Sequence, residues 1–223
     1  ANDFNAMRVP FYLDLVLDDP MPNGIGNYNH SGDLINQDLQ NLTSMQVMDT
    51  IINEAGKRGI LIMLDLHSFE ADAYASNGLW YDGSHPESLV LQGWSKLIKR
   101  YANTWNVVAF DLKNEPFQGT WNTGNLKTDW DAAVARISNY IHSNGGERFL
   151  VFAEGVASSP PCAQNCFYGG NLIGVNTAPI KINLQDKLVY SPHTYGPDVA
   201  YQPYWKDPNF PENMPAIWQN HFG

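Results

Sequence analysis

The sequence predicts an α/β protein, a (β/α)8 barrel, and three observations carry that expectation. Strand-like apolar runs alternate with amphipathic helical segments along the chain. The runs are continuous, as in ILIMLDL, so they belong to strands covered on both faces, as in a parallel sheet. Polar residues gather where the runs end: Arg8, His67, Asn114 with Glu115, Glu154, and His193 with Tyr195. Barrels of this class build their sites from the C-terminal ends of several strands. The sequence has neither a Gly-x-Gly-x-x-Gly turn nor a phosphate loop, which disfavours a nucleotide-binding doubly wound sheet.

The elements follow in order. MRVPF reads as the first strand, reached so soon from ANDFNA that the chain looks cut into an existing fold. A loop rich in Asn, Asp, Pro and Gly continues to residue 42. TSMQVMDTIINEAGKRG is a helix, with Thr43 and Gln46 as a capping box, Met45, Met48, Ile51, Ile52 and Ala55 at helical spacing, and Gly59 as its stop. ILIMLDLHS is a strand, PESLVLQGWSKLIKRYANT a helix and VVAFDLKNEP a strand. KTDWDAAVARISNYIHSNG is a helix, RFLVFAEG a strand, KLVYSPHTY the fifth strand and MPAIWQNHF a short closing helix. No repeat or low-complexity linker interrupts residues 1–223, so they form one domain.

Composition narrows the function. Of 223 residues, 43% are hydrophobic and 16% charged, the balance of a packed globular chain. The net charge of −10 argues against nucleic acid, an anionic membrane surface or a polyanionic substrate as partner. No apolar run approaches the ~20 residues of a membrane span. Seven Trp, eleven Tyr and ten Phe stand out; core packing accounts for most, but many fall in Gly/Asn/Pro-rich loops, where that reading is weaker. Cys162 and Cys166, in PPCAQNC, leave a local disulfide and two free thiols equally open, and nothing around them is spaced for zinc. The triplets Asn29-His30-Ser31 and Asn41-Leu42-Thr43 are compatible with secretion.

In AFDLKNEPF, Asn114 and Glu115 close a strand at Pro116, which cannot continue the pairing. A carboxyl at a barrel mouth among aromatics suits a general acid whose pKa partial desolvation raises. Taken alone, the same triplet also fits a strand-ending turn with a solvated carboxylate. Asp111 and Lys113, inside the strand, are expected to pair with each other.

The wider set of motifs resembles glycoside hydrolase family 5, and within it the bacterial endo-β-1,4-glucanases. AFDLKNEP, LDLHS, LWY, YGGNL, LVYSPHTYGPDV and DPNFPENMPAIW carry the resemblance over essentially the whole chain. It implies a retaining (β/α)8 hydrolase of β-glucan, secreted, monomeric when full length, with no metal or organic cofactor. It implies that Glu115 is the acid/base, that Asn114 binds the 2-hydroxyl and the nucleophile, and that Arg8 orients the nucleophile. It places His67 at the glycone subsites, His193 near the acid/base and Tyr195 near the nucleophile. By the same resemblance the five strands match strands two to six of the barrel. The nucleophile glutamate, which the family carries on strand seven, is then expected outside residues 1–223. Glu154, the nearest second carboxylate, is expected to support the site or bind substrate.

Sugar rings present apolar faces that stack on aromatics, so Trp80, Tyr81, Trp121 and Tyr168 are the expected substrate platforms. Trp94, Trp105 and Trp130 are assigned to the core. His30, His85, His142 and His221 are assigned to surface or helix positions without a site role. The rival reading is a non-catalytic glucan-binding protein on a degenerate barrel, which keeps the aromatics and lacks the second carboxylate.

Overall fold

The computed structural model describes residues 3–25, 30–33, 35–71, 77–162 and 165–223. Asn29 of the first sequon lies outside the described residues. Five parallel strands form one sheet in chain order: β1 (Ala6–Tyr12), β2 (Leu61–Ser68), β3 (Val107–Asp111), β4 (Leu150–Ala153) and β5 (Leu188–Tyr190). That is the arc of a barrel whose crossovers are helical: α2 (Ser44–Lys57), α3 (Glu87–Tyr101) and α4 (Trp130–Ile141) follow β1, β2 and β3. A short α1 (Leu13–Asp18) directly follows β1, and α5 (Met214–Phe222) ends the chain.

Local chemistry fixes these elements where the sequence put them. Thr43 caps α2 and Gln46 reciprocates, closing the capping box. Outward residues of the strands meet the helices: Phe110 packs on Trp94 of α3 at 5.0 Å and on Phe149 at 4.4 Å. Ile62, Leu64, Leu66 and Val151 are fully buried there. The register then sets the other face. Pro10 pairs with Asp65 and Asp65 with Asp111, so two buried acids lie side by side on adjacent strands.

Several expectations are corrected. The segment after β1 is not all loop: the apolar Leu13 and Val16 bury a turn and a half of helix. The fifth strand shortens to Leu188–Tyr190, because Ser191 onward turns toward the cleft and pairs irregularly. Trp105 is 60% exposed rather than core. His85 is buried, held between Asp14 and Asp82 and stacked on Phe69. Cys162 and Cys166 form a disulfide with Cα atoms 5.8 Å apart. Among the described residues no helix is long and apolar enough to cross a membrane.

Candidate active site

The strand ends converge on Arg8. Its Nε donates to Asp111 Oδ2 at 2.9 Å, Nη1 to Asp65 Oδ2 at 3.0 Å, and Nη2 to Glu154 Oε1 at 2.9 Å and Asn114 Oδ1 at 3.0 Å. Asp65, Asp111 and Glu154 are fully buried. Burial by itself would lower the Arg8 pKa, but Asp111, Asp65 and Glu154 raise it above its ordinary value. Burial, then the charge of Glu154, pushes the Asp111 carboxyl well above the usual carboxylate range, against the pull of Arg8. The expected Asp111–Lys113 pair is replaced by this arrangement. Lys113 Nζ instead donates to the carbonyls of His67 at 3.2 Å and Asn114 at 2.7 Å, and burial lowers its pKa to about 8.

Glu154 links this cluster to Glu115. Its Oε2 accepts the Glu115 backbone N–H at 2.6 Å and its Oε1 lies 3.0 Å from His193 Nε2. The other imidazole nitrogen, Nδ1, is 3.0 Å from Glu115 Oε1. Trp130, at the start of α4, holds the Glu154 carbonyl through Nε1 at 2.8 Å. Glu115 itself sits at φ +47°, a left-handed conformation that an L-residue keeps only when its surroundings impose it. The buried Glu154 carboxylate supplies that constraint. Glu154 is therefore a support for the site, and its expected substrate contact is corrected by its complete burial.

Tyr195 donates to Glu115 Oε1 at 2.5 Å. Burial favours the neutral acid, but hydrogen bonds from His193 and Tyr195 outweigh it and hold the Glu115 pKa below its ordinary value. That reverses the expected upward shift. Burial works against the His193 imidazolium too, yet the two flanking carboxylates raise its pKa to about 10. Burial and the Glu115 carboxylate also raise the Tyr195 hydroxyl.

The aromatic candidates divide. Tyr168 is 52% exposed, stacks on Phe117 at 4.6 Å, and shares with Glu115 a cavity of about 420 Å³ also lined by Phe167, Tyr195 and Gln202. His67 is exposed at the end of β2, with Nδ1 2.8 Å from Asp65 Oδ2. Tyr81 is half-buried and donates to the Lys127 carbonyl at 3.0 Å. Trp80 and Trp121 are corrected from platforms to core. Trp80 is fully buried, bonds Glu87 at 2.6 Å and packs on Trp130; Trp121 is 5% exposed, donates to the Ala178 carbonyl at 2.9 Å and lies against Gly174. Both indoles point inward because each N–H finds its acceptor there.

Sequence reasoning missed Asp65 and Phe117. The signal for Asp65 was present: two residues from His67 on a strand, it must share a face with it. Asp111, Glu154 and His193 bring ligand-type atoms within 4.8 Å of one another, a cluster that spacing along the sequence conceals. Arg8 occupies that cluster with its guanidinium on both acids, and His193 carries a proton between Glu154 and Glu115, so a cation there faces two resident positive charges.

A carboxyl at the C-terminal end of a parallel strand, held by imidazole and phenol beside an aromatic cavity, is the kind of site that (β/α)8 enzymes build at their strand ends. The chain belongs to glycosyl hydrolase family 5, the cellulase family, which matches it over residues 1–223. It is 41% identical to the major extracellular endoglucanase of Xanthomonas campestris pv. campestris over 99% of this chain and 44% of that protein. It is 38% identical to an endoglucanase of Paenibacillus polymyxa over 99% of this chain and 54% of that one. Among solved structures, the catalytic domain of the Xanthomonas endoglucanase superposes with a TM-score of 0.87 at 40% identity, over 99% of this chain and 62% of that one. A cellotetraose complex of an endocellulase from Pyrococcus horikoshii superposes with a TM-score of 0.88 at 38% identity, again over 99% and 62%. The chain thus spans about half the length of the curated relatives it matches.

Proposed function

We propose that the protein carrying these residues is a secreted, monomeric, retaining endo-β-1,4-glucanase acting on cellulose, with Glu115 as acid/base. The observation that carries this reading is Glu115 itself. Its backbone is fixed by Glu154, its carboxyl is aimed by His193 and Tyr195, and it opens onto the cavity that Tyr168 lines. Residues 1–223 are read as one catalytic domain, a barrel incomplete at both ends.

In the first step a carboxylate attacks the anomeric carbon while Glu115 gives its proton to the departing glycosidic oxygen. In the second, water attacks the glycosyl ester while Glu115 takes the water's proton, which frees the carboxylate and restores the acid. Asp65, Asp111 and Glu154 are closed off from solvent, so none of them can reach a sugar carbon. By the family resemblance, the nucleophile is a glutamate carried outside residues 1–223. Two carboxyl groups of a retaining pair stand about 5–5.5 Å apart. The negative charge of that partner raises the Glu115 pKa, offsetting the hydrogen bonds that now lower it. Exposed His67 and Tyr168 hold glucose units on either side of the cleaved bond, with Tyr81 at the cleft wall.

The test is Glu115→Gln in the full-length protein. Turnover on cellulose falls by about 10² or more while binding survives, as for loss of a positioned acid. A substrate with a good leaving group loses less in its first step, since it needs little protonation. Turnover on cellulose within twofold of the parent overturns the assignment. The rival reading, a glucan-binding protein without catalysis, draws on the burial of Asp65, Asp111 and Glu154 beside Glu115. It predicts binding without release of reducing ends in the parent protein.

A further inference from the structure

We propose that Asp65 is the positioning residue that selects the His67 tautomer, placing the proton on Nδ1 so that Nε2 offers its lone pair to a hydroxyl of the substrate. The inference rests on the glucan-hydrolase reading and adds to it the direction of one hydrogen bond. Asp65 and His67 are two residues apart on β2 and so project from the same face. Asp65 Oδ2 lies 2.8 Å from His67 Nδ1. Asp65 Oδ2 already accepts from Arg8 Nη1 and serves His67 as an acceptor too, so in the neutral ring the hydrogen sits on Nδ1 and the lone pair on Nε2. Isolated from such a partner, the ring is free to carry its proton on either nitrogen.

Asp65 cannot turn away to release the ring. The oxygen that faces His67 also accepts Arg8 Nη1 at 3.0 Å, and Arg8 is tied in turn to Asp111 and Glu154. The aspartate is fully buried, so water does not compete for it. The His67 backbone is fixed as well, its carbonyl accepting Lys113 Nζ at 3.2 Å. The ring, by contrast, reaches outward with its side chain 47% exposed, and among the described residues Nε2 has no hydrogen-bond partner. One nitrogen is anchored on a buried charge while the ring that carries the other is exposed. Such an acceptor discriminates among sugars: a ring position that lacks its hydroxyl leaves Nε2 unsatisfied.

The test uses the full-length protein in a Glu115→Gln background, so that cellotetraose binds without being cleaved. The ¹⁵N spectrum of the neutral His67 ring should show the Nδ1–H form, and Asp65→Leu should shift it toward Nε2–H. Cellotetraose affinity should fall about tenfold in Asp65→Leu, the worth of one well-placed hydrogen bond. Asp65→Leu combined with His67→Ala should bind no worse than His67→Ala alone, because the aspartate acts through the imidazole. Nε2–H in the protein with Asp65 intact, or additive losses in the double variant, overturns the proposal. Should Asp65→Leu fail to fold for want of an Arg8 partner, the spectrum of the Asp65 protein still decides it. If His67→Ala leaves cellotetraose affinity unchanged, the placing of His67 at the substrate, and the proposal with it, is overturned. If cellotetraose does not bind at all, the glucan reading fails, while the tautomer result stands on its own.

Discussion

His193 lies between two carboxylates, Glu115 on Nδ1 and Glu154 on Nε2, and both contacts favour its charged form. Its pKa rises from 6.5 to about 10 on folding, because those hydrogen bonds and the charge of Glu154 outweigh burial. A group whose pKa is raised in the folded state adds stability that is complete below the unfolded value and is lost as pH rises through the folded one. The melting-temperature gap between the full-length protein and its His193→Gln variant should therefore be widest near pH 6 and close as pH approaches 10. A gap that grows with pH contradicts the ion-pair account. The neighbouring cluster of Asp111, Glu154 and His193 yields a second expectation. Arg8 and the protonated imidazole already neutralise its acids, so a chelator should leave activity on cellulose unchanged. Loss of activity at constant melting temperature would contradict it. Glu115, Asn114, His193 and Tyr195 were legible because strand ends announce themselves by composition. Glu154 was legible at its strand end, whereas Asp65 was passed over although it lies two residues before His67 on the same face; that both acids gather on Arg8 showed only in the fold, where Arg8 meets Glu154 across 146 residues.

Elements position these residues through close backbone approaches. The turn that follows the Cys162–Cys166 disulfide brings Gly169 against the end of β4, where Gly155 N donates to its carbonyl at 2.8 Å and His193 N at 3.1 Å. Gly169 has φ +74°, and a Cβ there would stand 2.7 Å from Glu154 Oε2 and 3.1 Å from the His193 ring. Gly169→Ala is thus strained in its backbone and displaces both residues that hold Glu115. Turnover on cellulose should fall about tenfold or more, since small displacements of catalytic groups cost that much. Turnover equal to the parent's would show that the Glu154–His193 contact is dispensable. At this scale, locally determined features were readable: the Thr43–Gln46 box caps α2 as expected. Loop aromatics were not, because composition does not say whether a ring turns in or out. Trp80 and Trp121 turned in while their N–H groups reach the half-buried Glu87 and the Ala178 carbonyl, whereas Trp105, assigned to the core, stands exposed at the turn before β3. The first helical turn after β1 was hidden by the Pro/Gly-rich segment that follows it.

Across the molecule, the sheet β1–β2–β3–β4–β5 has an open edge at each end. Burial follows that order. β3 has four of its five residues buried and β2 five of eight, while β1 starts exposed and all three residues of β5 are only half-buried. A closed barrel has no edges, and an edge left open offers unpaired N–H and C=O groups to other chains. The site has the same gap as the sheet, with one positioned carboxyl facing the cavity and its neighbouring acids buried. Residues 1–223 produced as an isolated polypeptide should therefore melt without a sharp transition, tend to aggregate, and release no reducing sugar from a soluble cellulose derivative. A longer polypeptide that adds the remaining barrel strands should recover all three properties together if, as proposed, the strands that close the sheet also bring the nucleophile. The comparison is a melting curve, a sedimentation profile and a reducing-sugar assay on the two forms side by side. If the short form is a soluble monomer that melts sharply and hydrolyses cellulose with retention near the longer form's rate, the open edges are harmless. A carboxylate among residues 1–223 would then have to be the nucleophile, and Glu154 would have to leave Arg8 and His193 to reach the sugar.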